Sequence, residues 1–203
     1  MTNASFQDDS QANPQQATRT LSILVENRFG VLSRIAGLFS ARGYNIESLT
    51  VARTLDPELS LMTIVAEVES PMRPLLIKQI QRLVNVVQAV DLSEVQVVCR
   101  EMMLVKVQVS DDMRAAFLKE AEIFRARVVD AAPGAYTLEA TGASEKLDAF
   151  IEMLRTYGDL EVIRSGAMAM PRSSVENRKR IERRPAMKQK TAGERLAHSD
   201  PRP

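Results

Sequence analysis

Leu21-Ser22-Ile23-Leu24-Val25-Glu26, then Asn27-Arg28-Phe29-Gly30, then Val31-Leu32-Ser33-Arg34-Ile35-Ala36-Gly37-Leu38-Phe39: two hydrophobic periods meet across four residues. Leu21, Ile23 and Val25 recur at every second position, the mark of a strand with one buried face. Val31, Ile35 and Leu38, with Leu32, Ala36 and Phe39, recur at helical spacing and give one apolar face. Between them lies a polar loop closed by a glycine, the residue that lets a backbone turn sharply.

Downstream, Gly43 suits the C-cap of this helix. Ile46 to Arg53 is a second strand, and Asp56-Pro57-Glu58 a turn. Met62, Ile64, Ala66 and Val68 mark a third strand. Ser70-Pro71 opens a second helix with Leu76, Ile80, Leu83 and Val84 as its buried stripe, and Val86 to Val98 reads as a fourth, bent strand. The order β-α-β-β-α-β predicts a ferredoxin-like unit, an antiparallel four-stranded sheet with both helices on one face.

The pattern recurs without strong sequence identity. Met103, Val105, Val107 and Val109 alternate as a strand. Ser110-Asp111-Asp112 can cap a helix whose face holds Met113, Phe117, Ala121 and Phe124. Arg127 to Ala132 and Ala135 to Thr141 flank a Pro133-Gly134 turn. Ser144 can cap a helix burying Leu147, Ile151 and Leu154, and Asp159 to Ser165 closes the unit. The expected class is α+β, two ferredoxin-like βαββαβ domains in tandem. Residues 1–18 read as a disordered leader, 19–98 and 99–170 as the two domains, and 171–203 as a mobile basic tail.

Composition narrows the function. The 203 residues are 45% hydrophobic and 26% charged, enough to bury a core. No apolar run is long enough to cross a bilayer, and residues 1–18 hold neither Lys, Arg nor an apolar core, so no targeting segment is expected. One cysteine, Cys99, excludes an internal disulfide and multi-cysteine metal sites. One histidine, His198, leaves little scope for histidine catalysis. The carboxylate pairs Asp8-Asp9 and Asp111-Asp112 have no neighbouring base or nucleophile, and no phosphate-binding glycine motif occurs. Catalytic and metal-binding residues are therefore not expected, and a cytoplasmic protein fits best. Charge is segregated: ten basic and four acidic residues lie between Pro171 and Pro203, against 17 basic and 22 acidic elsewhere.

The loop at 27–30 carries the most chemistry. The first N–H groups of a helix have no acceptor within it and favour negative charge. A ligand carboxylate suits that position, and the Asn27 side chain, both donor and acceptor, can receive an ammonium group. The plainer reading is that Asn27 and Gly30 merely cap the helix. Asn45 offers a second polar group to orient a ligand; its plainer reading is a turn residue in a left-handed conformation.

Asn27-Arg28-Phe29-Gly30-Val31-Leu32-Ser33-Arg34 and Gly37-Leu38-Phe39-Ser40-Ala41-Arg42-Gly43-Tyr44-Asn45-Ile46-Glu47-Ser48-Leu49-Thr50-Val51 resemble the ACT domain of the acetohydroxyacid synthase (acetolactate synthase) regulatory small subunit. Further matches are Leu61-Met62-Thr63-Ile64, Gln79-Ile80-Gln81-Arg82-Leu83-Val84 and Arg100-Glu101-Met102-Met103-Leu104-Val105-Lys106-Val107. Glu122-Ile123-Phe124-Arg125-Ala126, Lys146-Leu147-Asp148-Ala149-Phe150 and Arg164-Ser165-Gly166-Ala167 complete a resemblance over about residues 19–172.

The resemblance implies a non-catalytic partner that activates a thiamine-diphosphate-dependent catalytic subunit and confers feedback inhibition by branched-chain amino acids, chiefly valine. Thiamine diphosphate, Mg2+ and FAD are then expected on the catalytic large subunit and none on this chain. It further implies a homodimer through paired ACT domains with the effector between chains. Asn27, Gly30, Val31 and Leu32 of one chain would face Asn45 and Ile46 of the other. Val31, Leu32 and Ile46 would wall an aliphatic side chain. A methylene more or less is worth only about 1–3 kcal/mol, so the choice among valine, leucine and isoleucine stays open. The alternative is an ACT-domain, amino-acid-sensing transcription regulator whose basic tail touches DNA. That tail lacks aromatic residues and a helix-turn-helix unit, so a solvated tail is the simpler expectation and nucleic acid is not an expected partner.

Overall fold

The computed structural model describes residues 16–69 and 72–173. Most of the expected leader and nearly all of the expected tail fall outside them. The first unit is built from β1 (Gln16–Glu26), α1 (Val31–Ser40), β2 (Ile46–Arg53), β3 (Leu59–Glu69), α2 (Arg73–Arg82) and β4 (Val86–Asp91). Its sheet runs β2-β3-β1-β4 with antiparallel pairs. The second unit follows with β5 (Val97–Gln108), α3 (Arg114–Ile123), β6 (Arg127–Ala132), β7 (Ala135–Gly142), α4 (Ser144–Leu154) and β8 (Leu160–Arg164). Its order, β6-β7-β5-β8, repeats that of the first. Both units are the expected α+β, ferredoxin-like arrangement.

Each unit has its own core. Leu21, Ile23 and Val25 of β1 and Met62, Ile64, Ala66 and Val68 of β3 face Val31, Ile35 and Phe39 of α1 and Leu76 and Ile80 of α2. Met103, Val105 and Val107 of β5 and Tyr136, Leu138 and Ala140 of β7 meet Phe117 of α3 and Leu147, Phe150 and Leu154 of α4. Period-two strands against period-3.6 helices produce this layering directly.

Several boundaries differ from expectation. Strand β1 begins at Gln16, inside the presumed leader. The fourth strand stops at Asp91, because the Asp91 carboxylate accepts from the Ser93 N–H and turns the chain out of the ladder. Val97 and Val98 instead open β5, so the expected 98/99 boundary falls within a strand. Helix α2 begins at Arg73 with Pro74 in its first turn, and Ser70 and Pro71 lie outside the described residues. Val84 is 89% exposed rather than buried, since Leu83 is already extended and Val84 has left the helical register. Met113 precedes α3 and is 40% exposed. Ser144 caps nothing; its hydroxyl accepts from Arg164.

One element had no sequence signal. After β8 the chain turns at Gly166, and β9 (Met168–Pro171) pairs with Val97–Arg100 at the start of β5. No helix among the described residues is long and apolar enough to cross a membrane.

Candidate functional site

The loop joining β1 to α1 is held from three sides. The Asn27 N–H donates to the Glu58 carbonyl at 2.7 Å and its Nδ2 donates to the Pro57 carbonyl at 3.1 Å, tying the loop to the β2–β3 hairpin. Glu26 binds Arg28 at 3.2 Å and accepts from Asn85 Nδ2 at 3.0 Å, while Asn85 Oδ1 accepts from Arg34 of α1. The sequence reading missed Pro57, Glu58 and Asn85. Their partners are 30 to 59 residues away in the chain, and no local pattern signals such pairs.

Asn27 therefore does not cap α1. No side chain does, and the first turn carries no acidic residue. Gly30 stands at the cap with φ 76°, a left-handed conformation that brings α1 off the loop at once. The N–H groups of Leu32 and Ser33 lie in that first turn, where the helix supplies no acceptor. A cap of this kind is an open seat for an anion. Gly30→Ala places a Cβ in open space, its nearest neighbour a side-chain atom of Arg34 at 4.0 Å, so the penalty is backbone strain alone. The expected loss is about 1 kcal/mol, read from urea denaturation.

Asn27, Arg28 and Phe29 line an open depression beside this seat. Leu32 is exposed and Ile46 half-buried, so both can offer apolar surface to a ligand. Val31 cannot: with Ile35 and Phe39 it faces the sheet and is buried, so it contributes backbone only. This corrects the expectation that Val31 walls an aliphatic side chain.

Asn45 is exposed and lies beyond the other end of α1. There the Tyr44 N–H donates to Phe39 O and the Gly43 N–H to Ser40 O, a Schellman ending with Gly43 in the left-handed position. The left-handed residue is thus Gly43, not Asn45, whose carbonyl accepts from the Glu67 N–H at 3.3 Å. Beside it, Glu47 is the extra residue of a β-bulge between Ile46 and Ser48, with its side chain near that of Glu67. Desolvation, then the Glu67 charge and a hydrogen bond to it, raise the Glu47 carboxyl above the usual glutamate range.

Ten residues of α1, about 15 Å, separate the Asn27–Leu32 group from Asn45 and Ile46. One chain does not bring the two groups together. Elsewhere, Cys99 lies in the β5–β9 ladder, and its thiol is pushed up by burial and by the charges of Glu101 and Glu145. Raised thiols are poor nucleophiles. Among the described residues no group of three or more His, Cys, Asp or Glu is placed to hold a metal ion.

Comparison with known proteins accounts for both units. Residues 21–88 match the family described as the AHAS small subunit-like ACT domain, and residues 100–173 match the small subunit of acetolactate synthase. A probable acetolactate synthase small subunit of Methanothermobacter thermautotrophicus is 43% identical over 158 residues, covering 77% of this chain and 94% of that protein. The acetolactate synthase isozyme 3 small subunit of Salmonella typhimurium is 46% identical over 155 residues, covering 76% and 95%. The crystal structure of the acetolactate synthase small subunit from Thermotoga maritima superposes with a TM-score of 0.70 at 36% identity, covering 78% of this chain and 99% of that one. With both units matched in order and nearly the whole length of these relatives covered, the chain belongs to the acetolactate synthase small-subunit family.

Proposed function

We propose that this chain is the non-catalytic regulatory subunit of an acetolactate synthase. In this reading it binds the catalytic large subunit, raises its activity, and makes it sensitive to a branched-chain amino acid, chiefly valine. The chemistry and its cofactors, thiamine diphosphate, Mg2+ and FAD, belong to the catalytic subunit, and the complex works in the cytoplasm. The observation that carries the effector site is the uncapped start of α1 beside Asn27. Its N–H groups suit a carboxylate, and Asn27 Oδ1 suits an ammonium group.

The site spans two chains. Asn45 and Ile46 lie a helix length from Asn27, so a ligand as small as valine touches both groups only if a second copy supplies one of them. Pairing through the first unit creates two such sites by twofold symmetry. Effector binding then favours one dimer arrangement, and the catalytic subunit responds through its different affinity for the two.

Reconstitution with the catalytic subunit tests this. Asn27→Ala and Asn45→Ala each remove a hydrogen bond to a charged ligand group, worth about 1.5–3 kcal/mol. The valine concentration for half inhibition should rise about 10- to 100-fold. Retained activation of the catalytic subunit shows that the variants still fold. Full valine sensitivity in both variants would sink the site assignment.

A further inference from the structure

In a two-layer unit of this kind the sheet face opposite the helices is expected to meet solvent. At the middle of the first sheet it does not, although Leu61 and Ala52 farther along the same face are exposed. Thr63, in the middle of β3 and level with Ser22 of β1 and Thr50 of β2, is only 5% exposed. Gly166 and Ala167, in the segment running from Ser165 to Arg172, touch β2 of this sheet. The Ala167 N–H donates to Ser48 Oγ at 2.8 Å, across 119 residues of sequence. A Cβ built on Gly166 would stand 2.8 Å from Ser48 Oγ and 3.1 Å from Thr50 Oγ1. Glycine allows so close an approach, and its φ of +81° lies where other residues are rarely found.

The same segment is anchored at both ends to the second unit. Ser165 exchanges hydrogen bonds with the backbone of Met102, its N–H donating to Met102 O at 2.9 Å and its Oγ accepting from Met102 N at 3.0 Å. Beyond Ala167, β9 pairs with Val97–Arg100, and the Arg172 N–H donates to Gln96 O at 2.8 Å. The strap therefore joins three things: the end of β8, the link between the units, and β2. Its grip on β2 is incomplete, because Thr50 Oγ1 is buried without a hydrogen-bond partner. An unpaired buried hydroxyl weakens a contact, so this one is suited to being broken and remade.

Strand β2 begins with Ile46, next to Asn45, and Ser48 follows two residues later. We propose that Ser48 and Gly166 are positioning residues that relay effector occupancy from β2 to the second unit through the 165–172 strap. This rests on the regulatory reading above and adds the route by which the signal leaves the site. A ligand that seats Asn45 and Ile46 fixes the start of β2, and the strap converts that into a setting of the β8–β9 end of the second unit.

The test uses the full chain reconstituted with the catalytic subunit and compares Ser48→Ala and Gly166→Ala with wild type. Valine binding is measured by calorimetry and inhibition by activity. The expected result is valine affinity within about threefold of wild type, unchanged activation, and at least a twofold smaller inhibited fraction at saturating valine. A merely structural role would move affinity and amplitude together. If Gly166→Ala fails to fold, Ser48→Ala, which removes one hydroxyl, decides alone. Full inhibition in the folded variants overturns the relay, and so does loss of valine binding, which would place these residues in the site itself. If wild type itself neither binds valine, leucine or isoleucine nor responds to them, the effector reading fails, and the relay with it.

Discussion

Phe150→Ala is expected to remove about 3–5 kcal/mol of stability, the loss typical of truncating a fully buried ring. The ring sits on α4, fully buried, and stacks on Phe124 with centroids 4.8 Å apart and planes at 26°. It fills the space between α4 and the strands that carry Met103, Val105 and Leu138. Truncation to a methyl removes the transfer energy of the ring and leaves a cavity the surrounding strands cannot close. A domain the size of the second unit has only about 4–11 kcal/mol in total. The variant should therefore unfold in urea at a much lower midpoint, while Phe150→Leu, which keeps most of the volume, should lose roughly 1 kcal/mol. Equal losses for the two would show that the ring is not packed as described. In the first unit the fully buried ring is Phe39, on α1 and edge-on to Tyr44 at 6.5 Å between centroids.

The contrast between these cores and the strap shows what the sequence makes legible. Leu21, Ile23 and Val25 announce a strand, and Val31, Ile35 and Phe39 a helix, because burial imposes a period on each element. All six are buried. Val84 departs from its expected burial for the same reason in reverse. It continues the apolar character of α2, but an extended Leu83 breaks the period, and nothing in the composition marks that break. The split between β4 and β5 turns on one Asp91 carboxylate bonding to the Ser93 N–H, invisible in a run that stays rich in valine. At the site, the loop chemistry of Asn27, Gly30 and Asn45 can be read from residue type. The residues that hold the loop cannot, Pro57 and Glu58 accepting from Asn27 and Asn85 bridging Glu26 and Arg34, because only the closed sheet brings them near. Strand β9 and the Ser48–Ala167 bond belong to the same class: four residues with two methionines carry too short a period to detect, and a contact across 119 residues carries none.

Arg164→Ala is the second large effect, and it arises from charge rather than volume. The guanidinium ends β8 and reaches Glu101 of β5, with Nε donating at 2.8 Å and Nη2 at 2.6 Å from the same carboxylate oxygen. Nη1 donates to Asp148 at 2.6 Å and Nη2 to Ser144 Oγ at 2.9 Å, both on α4. Burial by itself would lower the guanidinium pKa, but the Asp148 hydrogen bond and the Glu101 charge outweigh it and raise it. Arg164 is charged at every working pH, and the fork binds two layers of the unit at once. Glu101 is 8% exposed, so removing Arg164 leaves a buried carboxylate without its counter-ion. Breaking a buried pair in this way costs about 3–5 kcal/mol. Arg164 keeps part of its surface in water and Asp148 is mostly exposed, which places the expected loss near 2–3 kcal/mol. Because the penalty lies in the stranded charge, Glu101→Gln added to Arg164→Ala should recover part of it, a coupling that a double-mutant cycle reads directly. Arg164→Lys should fall between wild type and alanine, since one ammonium cannot span Glu101, Asp148 and Ser144 as the planar fork does. A loss below about 0.5 kcal/mol for Arg164→Ala, or no recovery in the double variant, would mean that Glu101 finds water when its partner is gone. The end of β8 would then be held by the backbone ladder with β5 alone.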